Sequence, residues 1–329
     1  MVVHRIIDWL EKHPDALRGR VILIPSLNPT GLLSRSRFPA FDDQDPNRTW
    51  PDSKPAHLCP SGEESTTDAW HEVQKRVEGR TRPQNSAFEA IWEYITTTVK
   101  PDYHLDLHTY STLSIPFIFL DRLMFDREKG DTEEAAQALW NTTHAFVQSI
   151  GLTVVMERPA HLYIKQKLHR STSGTTFNKL RIPSCTIELG PMHCVPPASL
   201  SAGVSAVLNA MRFSGHLCLP ESLAITEVPV LHFDKPHRYL VYPLCPVTGI
   251  ADFLVPAGGK FQVGDALAVI RRMDGTLAGT AIAEMDGFVI GWVDGVAFHK
   301  DQPMCMVAVE DGNVPSVCAW QDLPPSSLQ

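Results

Sequence analysis

Residues 103–109 place three side chains that could do chemistry, His104, Asp106 and His108, at alternate positions. Alternate side chains of a β-strand point to the same face of a sheet, so these three would lie together. Imidazole and carboxylate groups on a shared face suit a metal site or an acid–base site. A half-buried strand whose polar groups are satisfied by hydrogen bonds is the alternative interpretation.

A second candidate is Glu188, which ends the otherwise apolar run 183–188. Ligands bind at the carboxyl ends of strands in open α/β sheets, and a carboxylate there can take a proton from water and return it to a leaving amine. The alternative is an edge carboxylate paired with a nearby Arg or Lys. Tyr163 and the polar run 171–176 precede this strand. We assign them no role, because a surface loop would explain them equally well.

Guanidinium and amide donors accumulate in the stretch 25–48, which contains Arg37, Asn47 and Arg48. The planar fork of an arginine binds a carboxylate bidentately, and an asparagine adds a neutral donor and acceptor beside it. This stretch therefore predicts a clamp for an acidic substrate. Its Asn-Pro and Asp-Pro-Asn sequences are also typical of plain turns with solvated arginines.

The elements that must position these residues alternate between strands and helices. Runs 19–25, 102–108, 153–157 and 184–188 predict strands, and stretches 1–13, 86–99, 132–150 and 197–214 predict helices. This order predicts an α/β fold with a mixed, largely parallel sheet flanked by helices. Residues 27–85, rich in Pro, Ser, Asp and Arg, read as long loops, which in compact domains are usually functional or disordered.

The chain changes character after residue 232. Residues 239–311 consist of short apolar segments separated by Asp-Gly and Gly-Gly pairs, which predict tight turns and a small all-β module. We therefore predict a catalytic-type domain over 1–232 and a β domain over 233–329. The module resembles a lipoyl or biotinyl carrier, but Glu284 begins the turn where carriers hold a modified lysine. We interpret it as a structural or access-gating module.

Composition narrows the class of protein. The 329 residues carry 29 basic and 37 acidic side chains, and this net charge of −8 argues against a surface that follows nucleic-acid phosphates. The sequence contains no apolar run long enough to span a membrane. Seven scattered cysteines without a Cys-x-x-Cys pair indicate reduced thiols and a cytoplasmic location. A small molecule is the partner that these features favour.

Four motifs in order resemble the succinylglutamate desuccinylase/aspartoacylase family, zinc hydrolases related to the metallocarboxypeptidases. The motifs are Asn28-Pro29-x-Gly31, Asp45-x-Asn47-Arg48, Asp106-Leu107-His108-Thr109 and Thr186-Ile187-Glu188-Leu189-Gly190. The resemblance covers nearly the whole chain, including the trailing β domain, and it implies a zinc-carboxypeptidase-like sheet.

By this resemblance, His108 is the third ligand of a single zinc ion and Glu188 is the catalytic glutamate. Asn47 and Arg48 correspond to the clamp for the substrate carboxylate. Arg37 corresponds to the arginine that polarises the scissile carbonyl. The stretch that follows Arg37 is longer than is usual in the family.

Two further departures bear on the metal site. Pro46 replaces the usual leucine of its motif. The family carries its first two zinc ligands in a His-x-x-Glu segment before the helix that begins here at Met1, and the chain contains no such segment. Catalytic zinc needs three protein ligands, so we expect an incomplete site in this chain. The helix pattern of residues 1–13 begins without a cap, so we expect a missing N-terminal piece in preference to a true loss of the site. A metal held by residues 104, 106 and 108 alone ranks below the family interpretation.

The resemblance predicts a zinc-dependent hydrolase that cleaves the amide bond of an N-acyl amino acid or a related small, carboxylate-bearing amide. Two alternatives stay open: a metal-free small-molecule binding protein, and a carboxypeptidase-like peptidase. Nothing in the sequence marks a subunit interface, so a homo-oligomer also stays open.

Overall fold

The computed structural model describes residues 1–40, 44–55, 83–312 and 314–327. Parts of the predicted loop region, residues 41–43 and 56–82, lie outside the described residues. The remainder of that region contains a short helix and a helical turn that approach the candidate site.

The described residues form seven α-helices. They are α1 Val2–Lys12, α2 Pro29–Ser34, α3 Pro83–Glu93, α4 Glu133–Ile150, α5 Ala160–Lys165, α6 Thr172–Leu180 and α7 Pro197–Phe213. A π-helical stretch, Tyr94–Val99, continues α3. The four helices predicted from sequence periodicity are confirmed as α1, α3, α4 and α7. The run read as a polar loop is α6, which begins after Ser171 because that side chain caps the helix by accepting from the backbone N–H of Gly174.

Fifteen strands lie in the described part of the chain. They are β1 His104–His108, β2 Leu113–Ser114, β3 Phe117–Leu120, β4 Leu123–Phe125, β5 Thr153–Met156, β6 Ser184–Glu188, β7 His237–Val241, β8 Gly249–Phe253, β9 Lys260–Phe261, β10 Ala266–Arg271, β11 Leu277–Ile282, β12 Gly287–Trp292, β13 Ala297–Phe298, β14 Cys305–Glu310 and β15 Val317–Ala319.

Nine of these strands, in the described ranges, form one mixed sheet in the order β1-β6-β3-β5-β7-β14-β12-β2, with β9 beside β12. The pairs β1/β6, β3/β5 and β5/β7 are parallel, and the pairs that involve β14 and β12 are antiparallel. A second sheet has the order β11-β10-β8-β13. The predicted fold class, a mixed α/β sheet followed by an all-β module, is therefore confirmed.

The two faces of the sheet differ in chemistry. Leu105, Leu107 and Ile187 face a core formed with α4 and α7. The intervening side chains of β1 and β6 are polar and lie on the opposite face, against α6. Strand alternation therefore places the apolar core residues on one face of the sheet and the polar candidate site residues on the other face.

The predicted strand at 19–25 is wrong. The side chains of Ile22 and Ile24 are 42% and 43% exposed, whereas Val21 and Leu23 pack against the cluster between α1 and α7. Within the described ranges, the backbone of residues 21–24 makes no hydrogen bond. A strand requires a hydrogen-bonded neighbour, and β1, the end strand of the sheet, does not pair with this segment.

The β module continues the large sheet, since Met156 of β5 pairs with Arg238 of β7. A buried ion pair between Arg122 and Asp311, with Nη1 and Oδ2 2.8 Å apart, also connects the two regions. The boundary at residue 232 stays a prediction. No helix in the described ranges has the length and apolar character that crossing a membrane requires.

Candidate active site

The register of two parallel strands brings the first candidate residues together. In the β1/β6 pair, Asp106 lies opposite Thr186 and His108 lies opposite Glu188. The four side chains share one face because each occupies an alternate position of its strand. His108 and Glu188 are the last residues of their strands, so the site lies at the carboxyl edge of the sheet, where ligands bind in α/β folds.

His108 and Asp106 form a close pair, with Nε2 and Oδ2 2.8 Å apart. Burial alone would lower the pKa of His108, but the charge and hydrogen bond of Asp106 outweigh it and raise this pKa to about 9. Asp106 can only accept when ionised, so Nε2 of His108 donates to it and Nδ1 takes no part in this hydrogen bond. Nδ1 has no hydrogen-bond partner among the described residues.

Glu188 is buried, and its Oε2 atom has no hydrogen-bond partner within the described part of the chain. Burial raises the pKa of this carboxyl to about 7, although the positive charges of His108 and Arg37 oppose the rise. A group that titrates near neutral pH can both accept and return a proton. Glu188 therefore has the properties of a general base and acid.

Arg37 lies in the loop after α2. Asn28 caps α2 by accepting from the N–H of Gly31 and donates through Nδ2 to the carbonyl of Arg37 at 3.0 Å, so the Asn-Pro-x-Gly motif shapes this loop. The guanidinium bonds Asp45, with Nη2 and Oδ2 2.8 Å apart. The charge of Arg37 acts to lower the pKa of His108.

Asn47 is bound at both ends of its side-chain amide. Its Oδ1 accepts from the backbone N–H and the hydroxyl of Thr172, at 2.8 and 2.9 Å. Its Nδ2 donates to Oδ2 of Asp106 at 3.4 Å and lies 3.0 Å from Nε2 of His108, which is itself a donor and accepts no hydrogen bond from the amide. The amide is thus engaged by protein groups, and its predicted part in a substrate clamp stays a prediction.

Arg48 is the second residue of the predicted carboxylate clamp, and its side chain makes fewer hydrogen bonds to described residues than that of Asn47 does. Its Nη1 donates to the backbone carbonyl of Asn47 at 2.6 Å, and its guanidinium makes no salt bridge with a described residue. Burial lowers the pKa of Arg48, while the charge of Asp45 opposes that effect. A half-buried guanidinium that makes no salt bridge with a described carboxylate is suited to binding a carboxylate from outside the protein.

The structure adds residues that the sequence did not single out. The hydroxyl of Tyr110 donates to that of Tyr239 at 2.7 Å, and the Arg158 guanidinium lies 4.7 Å from the centre of the Tyr239 ring. Glu157 is buried on the same sheet face as Glu188. Glu157 ends the predicted strand 153–157, and this position could have marked it in the sequence as a candidate site residue. Tyr239 belongs to the β module, and no local pattern connects it to the site.

His104 does not extend the site. Its Nδ1 lies 2.8 Å from the hydroxyl of Ser184, and burial lowers its pKa. No group of three His, Cys, Asp or Glu side chains in the described ranges could hold a metal ion. The described residues therefore do not fit a zinc site with three protein ligands.

Comparison with solved structures identifies the fold. A succinylglutamate desuccinylase/aspartoacylase from Rhodobacter sphaeroides superimposes with a TM-score of 0.64 at 17% identity, covering 95% of this chain and 82% of that one. The product-bound ectoine utilization protein of Ruegeria pomeroyi gives 0.63 at 16% identity, over 94% and 80%. An aspartoacylase family protein from Mesorhizobium loti gives 0.62 at 14%, over 94% and 80%. No protein-family model and no curated protein matches the sequence. The chain thus shares the fold of succinylglutamate desuccinylase/aspartoacylase proteins.

Proposed function

We propose that this protein is a hydrolase that cleaves the amide bond of an N-acyl amino acid or a related small amide bearing a carboxylate. The shared fold with desuccinylase/aspartoacylase proteins supports the reaction class. The charge of −8 and the scattered cysteines support a small-molecule partner and a cytoplasmic location.

One observation carries the proposal: the buried carboxylate of Glu188 lies beside His108 at the carboxyl edge of the sheet, with one oxygen unpartnered among the described residues. In the proposed reaction, Glu188 takes a proton from the attacking water and delivers it to the departing amine. Arg48 binds the carboxylate of the substrate. Arg37, whose positive charge lowers the pKa of Glu188, would stabilise the negative charge that develops on the carbonyl oxygen.

Zinc is the cofactor expected from the resemblance, with His108 as one ligand. The hydrogen bond from Nε2 to Asp106 is the arrangement that orients metal-binding histidines and leaves the other ring nitrogen free. A single histidine does not form a zinc site, because a catalytic zinc ion needs three protein ligands. We assign no step of the reaction to zinc, and metal analysis of the purified protein tests whether it binds.

A metal-free binding protein is the second candidate, and the shortage of metal ligands among the described residues favours it. Such a protein would use Arg48 and the surrounding polar groups to hold a small carboxylate without cleaving it. Hydrolysis and binding can be measured separately, so the two candidates are experimentally distinct.

The test measures amine release from a panel of N-acetyl and N-succinyl amino acids, with and without added Zn²⁺. The Glu188→Gln variant should lose at least about 100-fold in kcat, because general acid–base catalysis contributes on the order of 10²–10⁴-fold. Glu284→Gln, in an exposed turn, is the matched control and should retain normal turnover. Normal turnover by Glu188→Gln would exclude the proposed mechanism. Saturable binding of these amides without amine release would favour the second candidate.

A further inference from the structure

We propose that Thr172 is a positioning residue, which orients the side-chain amide of Asn47 so that its N–H groups, and not its oxygen, face His108 and Asp106. The proposal deepens the proposed function, on which it rests in treating His108 as part of the site. It concerns a contact between a helix and a loop that no sequence motif marks.

The orientation of the amide follows from the chemistry of Thr172. Its backbone N–H can only donate, and it lies 2.8 Å from the Asn47 oxygen. The hydroxyl donates to the same oxygen at 2.9 Å. A reversed amide would place its NH₂ group against this N–H and would lose that hydrogen bond, whereas the hydroxyl could rotate and accept from the NH₂ group. Thr172 therefore fixes which end of the Asn47 amide points toward β1.

The orientation set by Thr172 decides which group of the Asn47 amide faces Asp106 and His108. The Asn47 nitrogen lies 3.4 Å from Oδ2 of Asp106, which also accepts from Nε2 of His108. Two donors thus converge on one carboxylate oxygen. In the reversed orientation an oxygen would lie about 3 Å from Nε2, where it would compete with Asp106 for the imidazole proton. Thr172 excludes this competitor and keeps the ring in one orientation.

Thr172 is itself held firmly enough to act in this way. It is 6% exposed and is the first residue of α6. Ser171 caps the helix, and the hydroxyls of Ser173 and Thr186 lie 2.9 Å apart, which fastens the start of α6 to β6. The helix, the strand and the loop that carries Asn47 therefore form one hydrogen-bonded unit.

The same helix supplies a matched control. The hydroxyl of Thr175 donates to the backbone carbonyl of Pro51 at 3.2 Å, so it also links α6 to the loop after Asn47. Thr175 is fully buried, and its hydroxyl makes no contact with Asn47. Thr175→Val removes a comparable hydrogen bond without touching the proposed connection.

The experiment compares Thr172→Val, Thr172→Ser, Asn47→Ala, the double variant Thr172→Val/Asn47→Ala, and Thr175→Val. Loss of one hydrogen bond to the Asn47 oxygen should lower kcat of Thr172→Val about three- to tenfold at unchanged KM. Thr172→Ser should restore kcat. The double variant should be no slower than Asn47→Ala, because the two residues act in series. Thr175→Val should keep kcat within about twofold.

A second measurement is independent of turnover. The imidazole ¹⁵N resonances of His108, identified by their absence in His108→Gln, should move in Thr172→Val, move further in Asn47→Ala, and stay in place in Thr175→Val. If no amide is hydrolysed, the proposed function fails and these spectra alone decide the positioning role. Unchanged His108 resonances in Thr172→Val and Asn47→Ala, or a full additional loss of kcat in the double variant, would overturn the proposal.

Discussion

Replacement of Glu188 by glutamine should make the protein more stable, relative to the wild type, at alkaline pH than at acid pH. The pKa of this buried carboxyl is raised from 4.5 to about 7, chiefly by burial. The folded protein therefore binds the proton more tightly than the unfolded chain does. Below pH 4.5 both states are protonated, and burial of the group carries no charge penalty. As the pH rises toward 7 this part of the stability is lost.

The size of the effect follows from the pKa values. Each unit of pKa corresponds to about 1.4 kcal/mol, so the difference between 4.5 and about 7 amounts to about 3 kcal/mol. Glutamine carries no charge at any pH. The unfolding free energy of Glu188→Gln minus that of the wild type should therefore increase by about 3 kcal/mol between pH 4 and pH 8. Costs that do not depend on pH, such as an unpaired amide, cancel in this comparison.

Urea unfolding at a series of pH values, in the presence of EDTA so that no metal contributes, measures this difference. The exposed Glu284→Gln variant is the control and should show a difference that is flat with pH. A flat profile for Glu188→Gln would refute the account of Glu188 as a carboxyl held near neutrality by burial. It would also remove the main physical support for its role as acid and base.

Three further outcomes are expected. Arg122→Met should cost about 3–5 kcal/mol in urea unfolding, because it removes the shorter ion pair of the buried Asp311 carboxylate and leaves only Arg238, with Nε 3.6 Å from Oδ1, and a loss below about 1 kcal/mol would contradict this. Burial would raise the pKa of Asp52, but the hydrogen bond and charge of His169 lower it well below the ordinary value of 3.8, so Asp52→Asn should reduce Tm at pH 7, and this loss should shrink only as the pH falls below 3.8. A Tm loss that is as large at pH 2 as at pH 7 would refute that reasoning. Gly174→Ala should destabilise by about 1–3 kcal/mol or more, because the added Cβ meets a backbone carbonyl oxygen inside a buried helix. A variant that unfolds at the wild-type urea concentration would show that the helix can shift to accept it.

The sequence was most informative where structure is local. Hydrophobic periodicity placed α4 and α7 within a residue or two of their observed bounds, because one face of each helix packs on the sheet. Asp-Gly pairs placed the turns of the β module, including the β10/β11 hairpin. Strand alternation put His108 on a polar face, Glu188 was predicted at the end of an apolar strand, and the observed register sets the two side by side. The fold class followed from the order of these elements.

Prediction failed where a segment depends on its neighbours. Residues 19–25 have the composition of a buried strand, yet they pair with no described strand. The run 171–176 looked like a loop because Ser, Thr and Gly favour turns, but a serine cap and burial against β6 make it helical.

The residue types at the strand ends, and the presence there of a carboxylate, an imidazole and guanidinium groups, can be read directly from the sequence. The partners of these groups depend on how distant segments pack together. Asn47 meets Thr172 across 125 positions of the chain, and Tyr239 reaches Tyr110 from the β module. Alternation and capping depend on neighbours a few residues away, and they can be read from a sequence. Hydrogen bonds between distant segments, and the burial that sets the pKa of Glu188, exist only once the sheet, α6 and the loop around Asn47 are packed together.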